Sequence, residues 1–201
     1  MRETLRRLAV LSILLGLNAC AGLAPSPEVK RTPQRDTLSD FTLEARFALH
    51  HADKPYFGRL SWHHSDDGEQ VLLASPLGQG MAEMVSNARG ARLTASDGQS
   101  YSAENIETLT QQVLGYPLPI KQLADWVRGR SADGTQEETD AYGRPLRLRE
   151  DIWRIDYEYD SNAIQALPSR LFIAREGAEG FDLRLRIEEW SELKREPENT
   201  P

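Results

Sequence analysis

Cysteine is nearly missing from this chain: there is one in 201 residues, at position 20. A single thiol closes no internal disulfide, so no disulfide framework holds the fold. The signatures H-E-x-x-H, G-x-S-x-G, C-x-x-C and the phosphate-cradling P-loop are also missing. Gly78-Gln79-Gly80 lacks the third glycine and the long helix of a dinucleotide site. Positive charge is in deficit, with 24 Lys+Arg against 31 Asp+Glu and a net charge of −7. A nucleic-acid partner would need a basic footprint, and so would polybasic docking on anionic lipid. The composition argues against both.

Histidine is scarce too, with four residues in two pairs, His50-His51 and His63-His64. Asp53, Asp66 and Asp67 stand near them in sequence, which raises a metal site. A hairpin turning near Asp53 and Lys54 opposes that reading, because it sets His63 opposite Glu44. At ~3.4 Å per residue the two pairs then lie ~20 Å apart. Solvated strand ends are expected, with no metal and no other cofactor. Glu188-Glu189 and Glu137-Glu138 are adjacent carboxylates. On strands they point to opposite faces and form no acid–base pair. No nucleophile has a partner base, so no enzyme is expected.

Long apolar runs are lacking as well. A membrane-crossing helix needs ~20 apolar residues. The run from Leu8 to Leu17 is shorter and is interrupted by Ser12 and Gly16. It follows Arg2, Arg6 and Arg7, the order of a secretory signal. Leu17-Asn18-Ala19-Cys20 then resembles the bacterial lipobox, with Asn18 its unusual member. That resemblance implies diacylglycerol on the Cys20 sulfur, cleavage after residue 19 and acylation of the freed amino group. Each buried CH₂ contributes ~0.8 kcal/mol to such an anchor. Ala21 and Gly22 follow where an aspartate would imply retention in the inner membrane, so the outer membrane is implied. Residues 1–19 read as signal peptide. Residues 20–36 read as a lipidated tether, with Pro25, Pro27 and Pro33 among polar residues. Loss of Arg2, Arg6, Arg7 and Glu3 leaves 21 basic and 30 acidic residues, a net of −9.

Residues 37–190 read as one domain and 191–201 as a polar tail. From Phe41 to Leu49 odd positions are apolar and even ones polar or small, a strand with one wet face. Tyr56, Gly58, Leu60 and Trp62 line one face of the returning strand. Val71–Ala74, Met81–Val85 and Ala91–Thr94 continue the series, and Asp97-Gly98 marks a hairpin. Ala103–Leu114 and Ile120–Val127 have helical spacing. A polar loop follows, and strands return around Leu146, Trp153–Tyr159, Leu171–Ile173 and Phe181–Ile187. Short turns make neighbours antiparallel. A one-sided sheet must cover its apolar face. Two or three short helices are a small cover, so the sheet either encloses an apolar hollow or has a filled core. In Ser75-Pro76-Leu77-Gly78 a leucine sits on a loop, either folded back onto the core or exposed as an apolar tip.

Taken in order, these pieces resemble the LolB family of outer-membrane lipoprotein receptors. The residues carrying the resemblance are the Cys20 lipobox, Phe57-Gly58-Arg59-Leu60-Ser61-Trp62, Ser75-Pro76-Leu77-Gly78, Leu93 through Asp97-Gly98 to Tyr101, and Leu114-Gly115-Tyr116-Pro117-Leu118-Pro119. Leu123 with Trp126 and Gly129, Trp153-Arg154-Ile155-Asp156-Tyr157, and Ile187 with Trp190 complete them. The resemblance implies an unclosed antiparallel β half-barrel of about eleven strands capped by helices, with an internal apolar cavity. It implies no catalysis. It implies acceptance of lipoproteins, by their acyl chains, from the periplasmic carrier LolA, and insertion into the inner leaflet of the outer membrane. Leu77 matches the family's protruding apolar residue. Candidate cavity walls are Phe47, Trp62, Leu73, Leu93, Trp153, Ile155 and Leu185. A monomer, anchored to the outer membrane by its own lipid, is expected. The alternative is an outer-membrane assembly or structural lipoprotein with a filled β-core and no lipid ligand.

Overall fold

The computed structural model describes residues 33–51, 54–115, 117–131, 133–177 and 181–193. The expected signal peptide, Cys20 and most of the tether lie outside them. Residues 32–201 form one compact unit. Alternation becomes strand β1 (Phe41–His51), which buries Phe41, Leu43 and Ala45 and turns Arg46, Ala48 and His50 outward. Strands β2 (Lys54–Ser65), β3 (Gly68–Ala74), β4 (Gly80–Asn87), β5 (Gly90–Ala95) and β6 (Ser100–Ala103) follow as a meander. Next come helices α1 (Ile106–Leu114) and α2 (Ile120–Val127). Strands β7 (Thr135–Thr139), β8 (Pro145–Glu150), β9 (Trp153–Glu158), β10 (Arg170–Arg175) and β11 (Phe181–Glu192) form a second meander.

β11 pairs with β1, so one eleven-stranded sheet runs β6-β5-β4-β3-β2-β1-β11-β10-β9-β8-β7, with β6 and β7 as its edges. Every neighbouring pair is antiparallel. The sheet is an unclosed half-barrel. Its connectivity explains the cover: the chain leaves the sheet at one edge, β6, and re-enters at the other, β7. The residues between must cross the open side, and both helices lie there. Asn105 caps α1 by accepting from the Thr108 amide, and Gly115, at φ 86°, ends it with an amide bond to Gln111 O.

Three expectations are corrected. β1 and β2 pair Phe41 with His64, so His63 faces Thr42 and not Glu44. Lys54 and Pro55, expected at the turn, belong to β2 and pair with His51 and His50. Thr135–Thr139, read as part of a polar loop, is strand β7, with every residue exposed. An edge strand wet on both faces shows no alternation. Its register is supported by Arg147 on Glu138 (2.8 Å) and Arg149 on Glu137 (2.7 Å). Ala103 ends β6 and does not begin the helix. At the domain's ends, Ser191 and Glu192 still pair with Thr42 and Phe41, and the Arg35 amide bonds Gln165 O (3.1 Å).

One half of the core is solid. Trp126 of α2 packs on Trp153 (5.6 Å between ring centroids), which meets Phe181 edge-on (5.4 Å). Tyr157 is buried there, and burial holds its phenol well above the ordinary tyrosine pKa. Arg128, at the end of α2, is buried over the Phe41 ring. Its guanidinium donates to Leu38 O (2.8 Å), Ser39 O (3.0 Å) and Asp125 (2.8 Å), and its Nε to Ala124 O (2.9 Å). It thus ties the helical cover to the start of the domain. Arg128→Met is expected to cost about 3 kcal/mol, because it removes four hydrogen bonds from the junction of α2 with the start of the domain, Leu38 O keeping only Arg130 (3.0 Å). Urea titration followed by tryptophan fluorescence measures this; a cost below about 0.5 kcal/mol would remove Arg128 from that role.

Candidate functional site

The other half of the core is not filled. A hollow of about 310 Å³ lies between the inner face of the sheet and the two helices. β1 supplies Phe47 and Leu49, β2 Leu60 and Trp62, β3 Val71 and Leu73, and β4 Ala82 and Met84; β5 supplies Leu93 and β11 Leu183 and Leu185. The helical side supplies Leu109, Val113, Leu114, Leu118, Ile120 and Leu123. Strand periodicity puts these sheet residues on one face, and 3.6-residue periodicity puts Leu109 and Val113 on one side of α1.

Thr110 is the polar member of this lining. Its hydroxyl is used up: it donates to Glu107 O (3.0 Å) and accepts from the Leu118 amide (2.9 Å). Apart from Thr110 and the Trp62 indole edge, the walls are hydrocarbon and aromatic, a lining that shelters apolar groups from water. Trp62 has a polar edge, and Glu69 satisfies it. The indole N–H donates to Oε2 (2.7 Å), while His64 Nδ1 lies 2.8 Å from Oε1. Glu69 is buried for that reason. Nothing in the sequence marks it beyond its place across the Asp66-Asp67-Gly68 turn from His64.

Phe47, Trp62, Leu73, Leu93 and Leu185 therefore stand along the hollow. Trp153 and Ile155 do not, since both lie in the solid half. Alternation reports which face a residue occupies, not which end of the sheet the helices fill. Among the described residues, no group of three His, Cys, Asp or Glu side chains is placed to hold a metal. His51 has a different position: its Nε2 lies 2.9 Å from the carbonyl of Leu114. A carbonyl only accepts, so Nε2 carries the hydrogen, and β1 is fastened to the last turn of α1.

Val113 both lines the hollow and is 39% exposed, so the hollow opens beside it. Near that end the β3–β4 connection projects Leu77, which is 90% exposed. The loop is built to do so. Gly78, at φ 85°, turns the chain, its amide bonds Ser75 O (2.8 Å), and Ser75 N bonds Gln79 O (2.7 Å). The rim beside it depends on Gly58. A Cβ there would stand 2.2 Å from Ala74 O and 3.1 Å from the Phe47 ring. Gly58→Ala must push away the strand end that carries the loop. An expected cost of about 1–3 kcal/mol is read by thermal denaturation. An unchanged Tm would mean that the close approach is not needed.

The site is an open half-barrel with helices over an apolar hollow and an exposed leucine on the β3–β4 connection. Residues 39–190 match the family model of the outer membrane lipoprotein LolB. An outer-membrane lipoprotein LolB of Dechloromonas aromatica is 42% identical over 186 residues, covering 90% of this chain and 96% of that protein. One from Azoarcus sp. is 37% identical over 198 residues, covering 96% and 100%. The chain belongs to the LolB family. It is a lipid-anchored protein of the outer membrane with a role in lipoprotein localisation. Among solved structures, a LolA superfamily protein from Nitrosomonas europaea aligns at 13% identity and TM-score 0.48, over 84% of this chain and 90% of that one.

Proposed function

We propose that this chain receives lipoproteins from the periplasmic carrier LolA by taking their acyl chains into the hollow. It then releases them into the inner leaflet of the outer membrane. Leu77 enters the bilayer during release, and Cys20 carries the protein's own anchor. The hollow is the observation that carries this reading. A lipoprotein anchor exposes dozens of CH₂ groups at ~0.8 kcal/mol each, and walls with no unsatisfied polar group offset that cost without specific chemistry. A filled β-core, the alternative from the sequence, has no use for such walls.

The volume adds a constraint. At about 30 Å³ per water-sized group, 310 Å³ takes on the order of ten methylenes. That is part of one acyl chain. Full loading requires α1 and α2 to lift, and the His51–Leu114 bond is the fastening that must yield. Transfer without a chemical energy source runs toward whichever site holds the chains more tightly.

The test mixes the chain lacking residues 1–20 with LolA carrying an acylated lipoprotein, then separates the two carriers. Cargo is expected on this chain. Cargo that stays wholly on LolA defeats the proposal.

A further inference from the structure

The outer face of the sheet carries a feature that composition hides. Reading the register across four adjacent strands, Arg59 of β2 faces Arg46 of β1, Arg46 faces Arg186 of β11, and Arg186 faces Arg170 of β10. Four arginines stand in one row, all exposed. Like charges directly opposite one another destabilise a sheet, so folding does not call for this arrangement. The carboxylates nearby leave it under-compensated. Glu188 serves both Arg46 (2.6 Å) and Arg59 (3.4 Å), while Glu158 serves Arg170 (2.5 Å), with Asp160 at 3.9 Å. Arg186 has no ion-pair partner among the described residues. A groove of about 660 Å³ is lined by three of the four, Arg46, Arg186 and Arg170, together with Arg147, Arg184, Asp156 and Glu158.

The next row toward the Leu77 end reads Phe57, Ala48, Arg184, Phe172. Phe57 is 61% exposed, and the Arg184 guanidinium lies 5.3 Å from the Phe172 ring. Ala74, which faces Arg59, is three residues before Leu77. The row beyond that of Phe57 reads Pro55, His50, Asp182 and Ala174, so the arginine row stands two rows in from that end of the sheet, with Phe57, Phe172 and Arg184 at the level between. A bilayer surface likewise sets an aromatic belt beside its phosphates. A register row lies at one level of the sheet, so the four guanidinium groups reach phosphates together. At ~4.8 Å per strand the row is roughly 14 Å wide.

We propose that this outer face, at the Leu77 end, docks on the anionic phosphates of a lipid surface through the Arg59–Arg46–Arg186–Arg170 row. The proposal rests on the reading of Leu77 as the tip that enters the bilayer, and it adds which side of the domain meets the membrane and by what chemistry. Charge complementarity selects this side. The chain as a whole carries −7, so its average surface is repelled by anionic lipid, while this row of four arginines offers such lipid an attractive one. Its surface ion pairs are weak enough to exchange carboxylate for phosphate. Net charge argues against docking of the average surface on anionic lipid, and the proposal concerns this one face.

The experiment measures co-flotation of the chain lacking residues 1–20, a compact unit by itself beyond residue 31. One set of vesicles mixes phosphatidylethanolamine with phosphatidylglycerol, and the other is phosphatidylcholine alone. Binding is expected to favour the phosphatidylglycerol vesicles and to weaken with salt. Each cation near such a surface contributes about 1 kcal/mol, so Arg46→Ala with Arg186→Ala is expected to lower partitioning about thirtyfold. The paired lysine replacements should keep it, since a point charge suffices. Near-UV circular dichroism checks that the variants are folded.

Equal binding to both vesicle types, or no loss in the alanine variant, overturns the proposal. So does loss of binding to LolA with lipid binding intact, which would make the row a protein-docking face. Selective competition by inorganic phosphate over chloride at equal ionic strength also overturns it, since that marks a discrete ion site. Cargo transfer from LolA, measured separately on the same variants, shows whether the hollow's function stands or falls independently.

Discussion

Ala82→Trp is expected to abolish acyl-chain uptake while leaving the domain folded. Ala82 is a small side chain of the wall on β4, facing a hollow of about 310 Å³. An indole there points into empty space rather than into packed neighbours, so the overpacking cost that usually follows small-to-large core changes is small. The same indole takes the place of several methylenes of ligand. At ~0.8 kcal/mol for each methylene displaced, losing two of them already lowers affinity more than about tenfold. Titration of a fluorescent fatty acid reads the affinity, and thermal denaturation reads the fold. Full uptake in a folded Ala82→Trp protein would mean that acyl chains bind elsewhere.

The second large effect belongs to Leu77. With 90% of its surface exposed it has little to contribute to stability, and Leu77→Glu should move the unfolding free energy by less than about 0.5 kcal/mol. Delivery is another matter. Burying a leucine in hydrocarbon contributes about 1.5–3 kcal/mol, and a carboxylate in its place must be desolvated. A fall of ten- to a hundredfold in cargo inserted into vesicles is therefore expected, with uptake from LolA unchanged. If delivery proceeds at the original rate, Leu77 has no part in release. The pair of variants separates two steps: one blocks loading, the other blocks unloading.

Much of this site was legible before folding because strands alternate. Alternation puts Phe47, Trp62 and Leu185 on an inner face, Leu73 and Leu93 join them as wall candidates through the family resemblance, and all five stand along the hollow. Trp153 and Ile155 carry the same period yet lie under α2 in solid packing. No local pattern separates them, since the difference is where a helix far along the chain comes to rest. β7 escaped for the opposite reason: its residues, Thr135–Thr139, are all exposed, so it has a ladder partner but no buried face to reveal it. His51, expected at a solvated strand end, acquires its role from the distant Leu114 carbonyl, and Glu69, which no pattern marks, acquires its own from the Trp62 indole across the β2–β3 turn.

The sequence by itself determined the one-sided antiparallel strands, the two helices and the apolar residue between Pro76 and Gly78. Those are local matters of periodicity and turn chemistry, each set within a few neighbouring residues. Only the tertiary structure decided that part of the interior stays open, that Leu77 points into water, and that four arginines scattered from position 46 to position 186 share one row. An unfilled volume, an exposure and a cross-strand register all depend on how segments far apart in the chain are brought together, and no window of sequence contains that information.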